Sequence, residues 1–214
     1  MSDRFYKGFV GAAKPIFRWL TNALVLGRER VPRHGAFVLA STHSGFLDVV
    51  CVGAETPRVI RWLTLAEITT TPVVGYFIRA MGVIPICRGG ANLSPLKGAK
   101  RVLMSGGVIG IFPEGELRPL DKSVVKGGPI KPGAIRLAHH CRVPVLPVVL
   151  VGSVRFNSPR AFLPFARTRF GIWFGELVPP GNGRGAEEIS RMTEELRRAF
   201  ALGYQTLMEH PDYK

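Results

Sequence analysis

His43 and Asp48 stand five residues apart in the stretch Ser41-Thr42-His43-Ser44-Gly45-Phe46-Leu47-Asp48. An imidazole can take a proton from a hydroxyl near neutral pH. A carboxylate bonded to its other nitrogen fixes the tautomer and stabilises the imidazolium that forms. On one continuous helix a separation of five sets two residues about 140° apart, too far round to meet. The pair therefore needs His43 on a loop and Asp48 in the first turn of the next helix, from where the carboxylate reaches back. No Gly-x-Ser-x-Gly elbow supplies a nucleophile, and Ser44 reads as a cap. The hydroxyl that His43 would activate has to arrive with a substrate. A second reading stays open: His43 as a loop residue, and Asp48 as an acid drawn to a helix N-terminus.

Two further polar groups follow apolar runs in the same way. Arg88 comes after Gly82-Val83-Ile84-Pro85-Ile86, and Phe112-Pro113-Glu114-Gly115 comes after Val108-Ile109-Gly110-Ile111. Apolar, β-branched runs occur at 36–41, 59–65, 82–86, 108–112 and 145–151, with helix-like stretches near 46–55, 72–80, 94–105 and 132–141 between them. This alternation predicts an α/β fold, a mostly parallel central sheet flanked by helices. The C-terminal strand ends of such a sheet share one edge, where ligand crevices form, so the three groups can converge. Residues 167–178 read as a further strand at an edge. After the loop 179–185, Ile189, Met192, Leu196, Ala199 and Leu207 mark the buried face of a docking helix. Glu187 with Arg191 and Glu194 with Arg198 are i,i+4 pairs on it.

Composition narrows the partners. The 214 residues are 46% hydrophobic and 21% charged, with a net charge of +14, a pI near 10.6 and a mean hydropathy of +0.17. A chain this basic favours polyanions; being apolar as well, it points to an anionic membrane surface ahead of nucleic acid. Residues 5–26 carry Phe5, Phe9, Phe17, Leu20 and Leu24 at near-helical spacing among Arg4, Lys7, Lys14 and Arg18, with Pro15 dividing them. This is the composition of an N-terminal amphipathic helical membrane-docking segment, and equally of a helix that packs on the core. The expected division is residues 1–30 for that segment and 31–214 for the main domain. Between Ser153 and Phe174, arginines alternate with aromatic rings, which suits a membrane interface, a stacked single strand, or a plain edge strand with its loop. No apolar run reaches the roughly 18 residues of a spanning helix, and no secretory signal is expected at the N-terminus. Cys51, Cys87 and Cys141 read as separate reduced thiols. Cys141 follows His139 and His140, but no ligand set completes a metal site there.

Thr42-His43-Ser44-Gly45-Phe46-Leu47-Asp48 resembles the H-x-x-x-x-D motif of the glycerolipid acyltransferases, the family of 1-acylglycerol-3-phosphate acyltransferases. Leu26-Gly27-Arg28-Glu29-Arg30-Val31-Pro32 resembles the family's lead-in to its first strand, and Gly82–Arg88 its second block. Phe112-Pro113-Glu114-Gly115 resembles its third block, and Val143-Pro144-Val145-Leu146-Pro147-Val148 its fourth. The resemblance implies an O-acyltransferase in which His43 is the general base and Asp48 orients it. It transfers a fatty acyl group from acyl-CoA or acyl carrier protein to the hydroxyl of a lysolipid, with no metal or organic cofactor. Arg88 would hold the acceptor phosphate, Glu114 an acceptor hydroxyl, and Phe112, Pro113, Gly115, Arg118, Lys131 and Pro147 would complete the substrate site. The implied location is peripheral, on the cytoplasmic face of a membrane, without nucleic acid as partner. Thr42 stands where the family usually has Asn or a similar residue, Glu116-Leu117-Arg118 follows the third block where Thr-Arg is common, and Leu65-Ala66-Glu67 lacks a lysine often found early in the second block. These departures make a zwitterionic or amino-acid-containing acceptor an alternative. Transfer between lipids without CoA, or a non-catalytic protein for anionic lipid or nucleic acid, are the others.

Overall fold

The computed structural model describes residues 21–70, 74–87, 93–157, 168–181, 183 and 185–213, and before these residues 6, 8, 10–12, 14, 15 and 19. Seven strands form one sheet: β1 (Thr21–Leu26), β2 (Phe37–Ser41), β3 (Ile60–Leu65), β4 (Ile84–Ile86), β5 (Val108–Ile111), β6 (Val145–Val151) and β7 (Thr168–Phe174), in the order β1-β7-β6-β2-β5-β3-β4. All neighbours run parallel except β6 and β7, which are antiparallel. The helices are α1 (Asp48–Glu55), α2 (Ala66–Thr69), α3 (Val74–Ala80), α4 (Leu93–Met104), α5 (Gly133–Cys141) and α6 (Ala186–Glu209).

Strands β2 and β6 are buried along their whole length, as continuous apolar runs in a sheet covered on both faces must be. Their alternate residues feed two cores. Val38, Ala40, Ile109, Val145 and Val149 meet Ala99, Leu103, Ala134, Ile135, Met192, Leu196 and Phe200 of α4, α5 and α6. Phe37, Leu39, Ile60, Trp62, Leu146, Val148 and Phe174 meet Cys51 and Val52 of α1 on the opposite face. Each fully buried Leu, Ile or Phe contributes about 1.5–3 kcal/mol, so the central strands are held far more firmly than the loops they carry.

The helical reading of 5–26 is corrected at its end, where Thr21-Asn22-Ala23-Leu24-Val25-Leu26 forms strand β1, paired in parallel with β7. β7 bonds β6 on one side only, and its other row of backbone groups needs partners. That demand outweighs the helical spacing of Leu24. Most of the remaining segment lies outside the described residues. Its Tyr6 is buried against α1, where a Cβ on Gly53 would come within 2.9 Å of the phenol oxygen, and burial pushes that phenol up to about 12. In α6 the expected pair of Glu187 with Arg191 is replaced. Arg191 bonds Glu188 at 2.5 Å and also Glu195, while Glu194 and Arg198 pair at 3.2 Å as expected. No described helix is long and apolar enough to cross a membrane.

Gly110, at the centre of β5, lets Trp62 cross the sheet face: a Cβ there would lie 2.5 Å from the indole. Gly110→Val is expected to cost about 3 kcal/mol through overpacking, read as a lowered urea midpoint. An unchanged midpoint would contradict this packing.

Candidate active site

β2 ends at Ser41, and the next residue carries its pairing one step further by a side chain. Thr42 N–H donates to Val148 O at 3.1 Å. The Thr42 hydroxyl accepts from Leu150 N–H at 2.8 Å and donates to Leu150 O at 3.1 Å. This hydroxyl serves a buried strand end, which accounts for threonine at that position. His43 then leaves the sheet on a loop, and Asp48 is the first residue of α1, the arrangement that the spacing requires. Asp48 is 0% exposed. Its Oδ2 accepts from His43 Nδ1–H at 2.9 Å, from Ser44 N–H at 2.8 Å and from Gly45 N–H at 3.0 Å. The carboxylate thus fixes the tautomer of His43 and leaves Nε2 as the nitrogen that exchanges a proton. Gly45 is required by close approach, since a Cβ would lie 2.5 Å from Ser153 O and 3.1 Å from Asp48 Oδ1.

The Phe112–Gly115 turn closes over His43. The Phe112 ring stacks on the imidazole at 3.8 Å and on Trp62 at 4.6 Å between centroids, both nearly parallel. Gly115 adopts a left-handed backbone at φ +71°, and a Cβ there would meet the Lys131 side chain at 2.4 Å. Lys131 is tied to the same turn by its N–H, which donates to Pro113 O at 2.8 Å. Arg118 N–H donates to His43 O at 2.9 Å, and its guanidinium pairs with Glu116 at 2.9 Å. His43, Asp48, Phe112, Pro113, Gly115, Arg118 and Lys131 therefore gather around one loop crossing.

Two expectations change. Glu114 was expected to meet an acceptor hydroxyl. It is 0% exposed, with Oε2 on His43 N–H at 2.6 Å and Oε1 on Ser123 Oγ–H at 2.6 Å and Val124 N–H at 3.0 Å. The carboxylate faces inward because two backbone N–H groups and a hydroxyl point at it. Pro147 is a buried residue within β6, opposite Ala40, and belongs to the sheet interior. Arg88 lies outside the described residues, as do 158–167 of the stretch rich in arginine and aromatic rings.

Sequence reasoning missed the clamp on the His43 loop. Ser44 and Ser153 hydroxyls bond at 2.9 Å, Phe46 N–H donates to Asn157 Oδ1 at 3.0 Å, and Asn157 Nδ2–H donates to Ser44 O at 3.3 Å. The only available signal was the density of small polar residues on both loops. Chemically, the site offers a charge-supported base whose imidazole bonds no serine or cysteine among the described residues. Such an arrangement can accept a proton from an incoming hydroxyl.

The family profile described as Acyltransferase matches residues 22–151. A 1-acyl-sn-glycerol-3-phosphate acyltransferase of Bacillus subtilis (strain 168) is 29% identical over 148 residues, 69% of this chain and 71% of that protein. A protein of the same name from Helicobacter pylori (strain J99) is 32% identical over 138 residues, 63% of this chain and 57% of that one. The crystal structure of the 1-acyl-sn-glycerophosphate acyltransferase PlsC from Thermotoga maritima shares the fold, with a TM-score of 0.73 over 98% of this chain and 85% of that chain at 22% identity.

Proposed function

Since this chain belongs to the Acyltransferase family, whose chemistry is O-acyl transfer, we propose that it acylates the free hydroxyl of a lysolipid, 1-acylglycerol-3-phosphate above all, from an acyl thioester. The observation that carries this reading is the buried Asp48 carboxylate on His43 Nδ1. Nε2 takes the proton of the acceptor hydroxyl as its oxygen attacks the thioester carbonyl carbon. The C–S bond then breaks, and the leaving sulfur receives the proton from the imidazolium. Every atom is accounted for without a metal, an organic cofactor or a covalent enzyme intermediate. Lys131, exposed beside Gly115, and Arg88 hold the acceptor phosphate, the arginine bidentately. Phe112 keeps one face of the imidazole dry. The test is thiol release from acyl-CoA, and from acyl carrier protein, with detergent-dispersed lysophosphatidic acid. Acceptor-dependent release is expected; a folded protein that releases nothing from either donor would refute the reading.

The Glu116–Arg118 pair favours a second acceptor class. An acid beside the phosphate-binding cations attracts an ammonium as well, so a lysolipid carrying both charges fits. A lower KM for an amine-bearing lysolipid than for lysophosphatidic acid would select it.

The enzyme works bound reversibly to the anionic, cytoplasmic face of a membrane, with the part of the N-terminal segment that precedes β1 as part of the contact. Phe46, 70% exposed, and Val154, 53% exposed, stand on two loops joined by Asn157, next to His43, and are suited to enter the headgroup layer. With roughly 1 kcal/mol for each basic residue near an anionic leaflet, sedimentation with anionic vesicles is expected at low salt and release at high salt. Phe46→Asp is expected to weaken sedimentation about tenfold, one lost apolar side chain's worth; unchanged binding would remove this loop from the contact.

A further inference from the structure

We propose that Ser123 and Glu114 form a positioning relay for His43, in which Ser123, a residue with no substrate contact, sets the placement of the catalytic base. The inference rests on His43 being that base. Glu114 and Ser123 are 0% and 4% exposed, so neither meets a ligand at the surface. The three donors on the Glu114 carboxylate occupy three of its roughly four acceptor positions. At 2.6 Å, the bond from His43 N–H is a short, charge-assisted one.

The relay continues beyond the carboxylate. Ser123 O accepts from Lys126 N–H at 2.9 Å and Gly128 N–H at 3.0 Å, which folds the chain into a tight turn. A Cβ on Gly128 would lie 2.3 Å from Lys122 O, so the turn cannot relax outward at that point. Arg197 of α6 donates to Gly128 O at 3.0 Å, and Lys126 lies 4.6 Å over the Tyr204 ring of the same helix. A rigid helix on one face of the sheet thereby holds the serine, the serine holds the carboxylate, and the carboxylate holds the His43 peptide. Arg118 N–H fixes the other end of that residue through its carbonyl, while Asp48 and Phe112 fix the ring.

Removing the serine hydroxyl leaves Glu114 Oε1 with one donor, and a buried carboxylate that loses a donor shifts towards those that remain. In Glu114→Gln a carboxamide has one acceptor end, so an N–H confronts either His43 N–H or the Ser123–Val124 pair. Each change moves His43 relative to the acceptor, and displacements near 1 Å cost on the order of 100-fold in rate.

The experiment combines amide NMR of His43 with steady-state thiol release for wild type, Ser123→Ala, Glu114→Gln and the double variant. The His43 amide proton is expected far downfield in wild type, and upfield of that in both single variants. kcat is expected to fall about tenfold in Ser123→Ala and about 100-fold in Glu114→Gln, with acceptor KM within about twofold. The double variant should be no slower than Glu114→Gln alone, as for residues acting in series. An unmoved amide resonance and wild-type kcat in Ser123→Ala would overturn the relay. So would a raised acceptor KM at unchanged kcat in Glu114→Gln, which would return the carboxylate to substrate binding. If Glu114→Gln fails to fold, Ser123→Ala decides alone. The NMR reading needs no turnover, so failure of the proposed reaction and failure of the relay are separately visible.

Discussion

In His43→Ala, acceptor-dependent thiol release falls by about 10²–10⁴-fold, the range a positioned general base contributes. The loss should appear in kcat with little change in acceptor KM, because the proposed base acts on the hydroxyl proton in the transition state. Stability should change by only about 1 kcal/mol. The ring is partly exposed, and its removal leaves Asp48 Oδ2 still bonded to Ser44 and Gly45 N–H. The Phe112 ring loses one stacking partner and keeps Trp62. Equal rates in wild type and variant, measured well below both melting temperatures, would exclude His43 as the base.

Asp48→Asn is expected to lower kcat about 10²–10⁴-fold as well, and for a different reason. Asp48 Oδ1 is buried without a hydrogen-bond partner among the described residues, while Oδ2 takes all three donors. If the Asn oxygen occupies the Oδ2 position, its NH2 is buried with no acceptor, and the imidazolium loses its counter-charge. If the amide flips, its NH2 opposes three donors. Either way the fold also loses about 1–3 kcal/mol, the cost of a buried unsatisfied polar group. Asp48→Asn should therefore be less stable than His43→Ala, although both are nearly inactive. A variant with normal kcat and reduced stability would make Asp48 a helix-start acid and no more, the second reading open from the sequence.

The parts of this fold governed by continuous apolar runs were legible in the sequence. β2, β3, β5 and β6 lie where the runs lie, since a covered parallel sheet leaves few alternatives for continuous apolar runs. The expected run 82–86 narrows to the short strand Ile84–Ile86, and 167–178 to Thr168–Phe174. β1 was not legible, because its strand character comes from the open edge of β7 and not from its own pattern. The His43–Asp48 pair was legible from its spacing, while the inward turn of Glu114 was not. A carboxylate beside a turn glycine reads as a ligand group, and only the three converging donors, one of them Ser123 nine residues on, reveal which way it faces. Thr42, Ser153 and Asn157 were invisible for a similar reason. They bridge segments more than 100 residues apart in the chain, and no local pattern encodes such a bond.

The pairing of β1 with β7 also governs the order in which this protein can fold. On a ribosome Thr21–Leu26 emerges early, yet its partner Thr168–Phe174 is made only after every other strand of the sheet. Throughout that interval an apolar strand waits with its backbone unpaired, which is the kind of exposed edge that recruits other nascent chains. Pairing over so long a separation also raises contact order and slows the final step. The sheet is complete only when the last strand arrives to join the first, so a break anywhere in β7 also sets β1 loose.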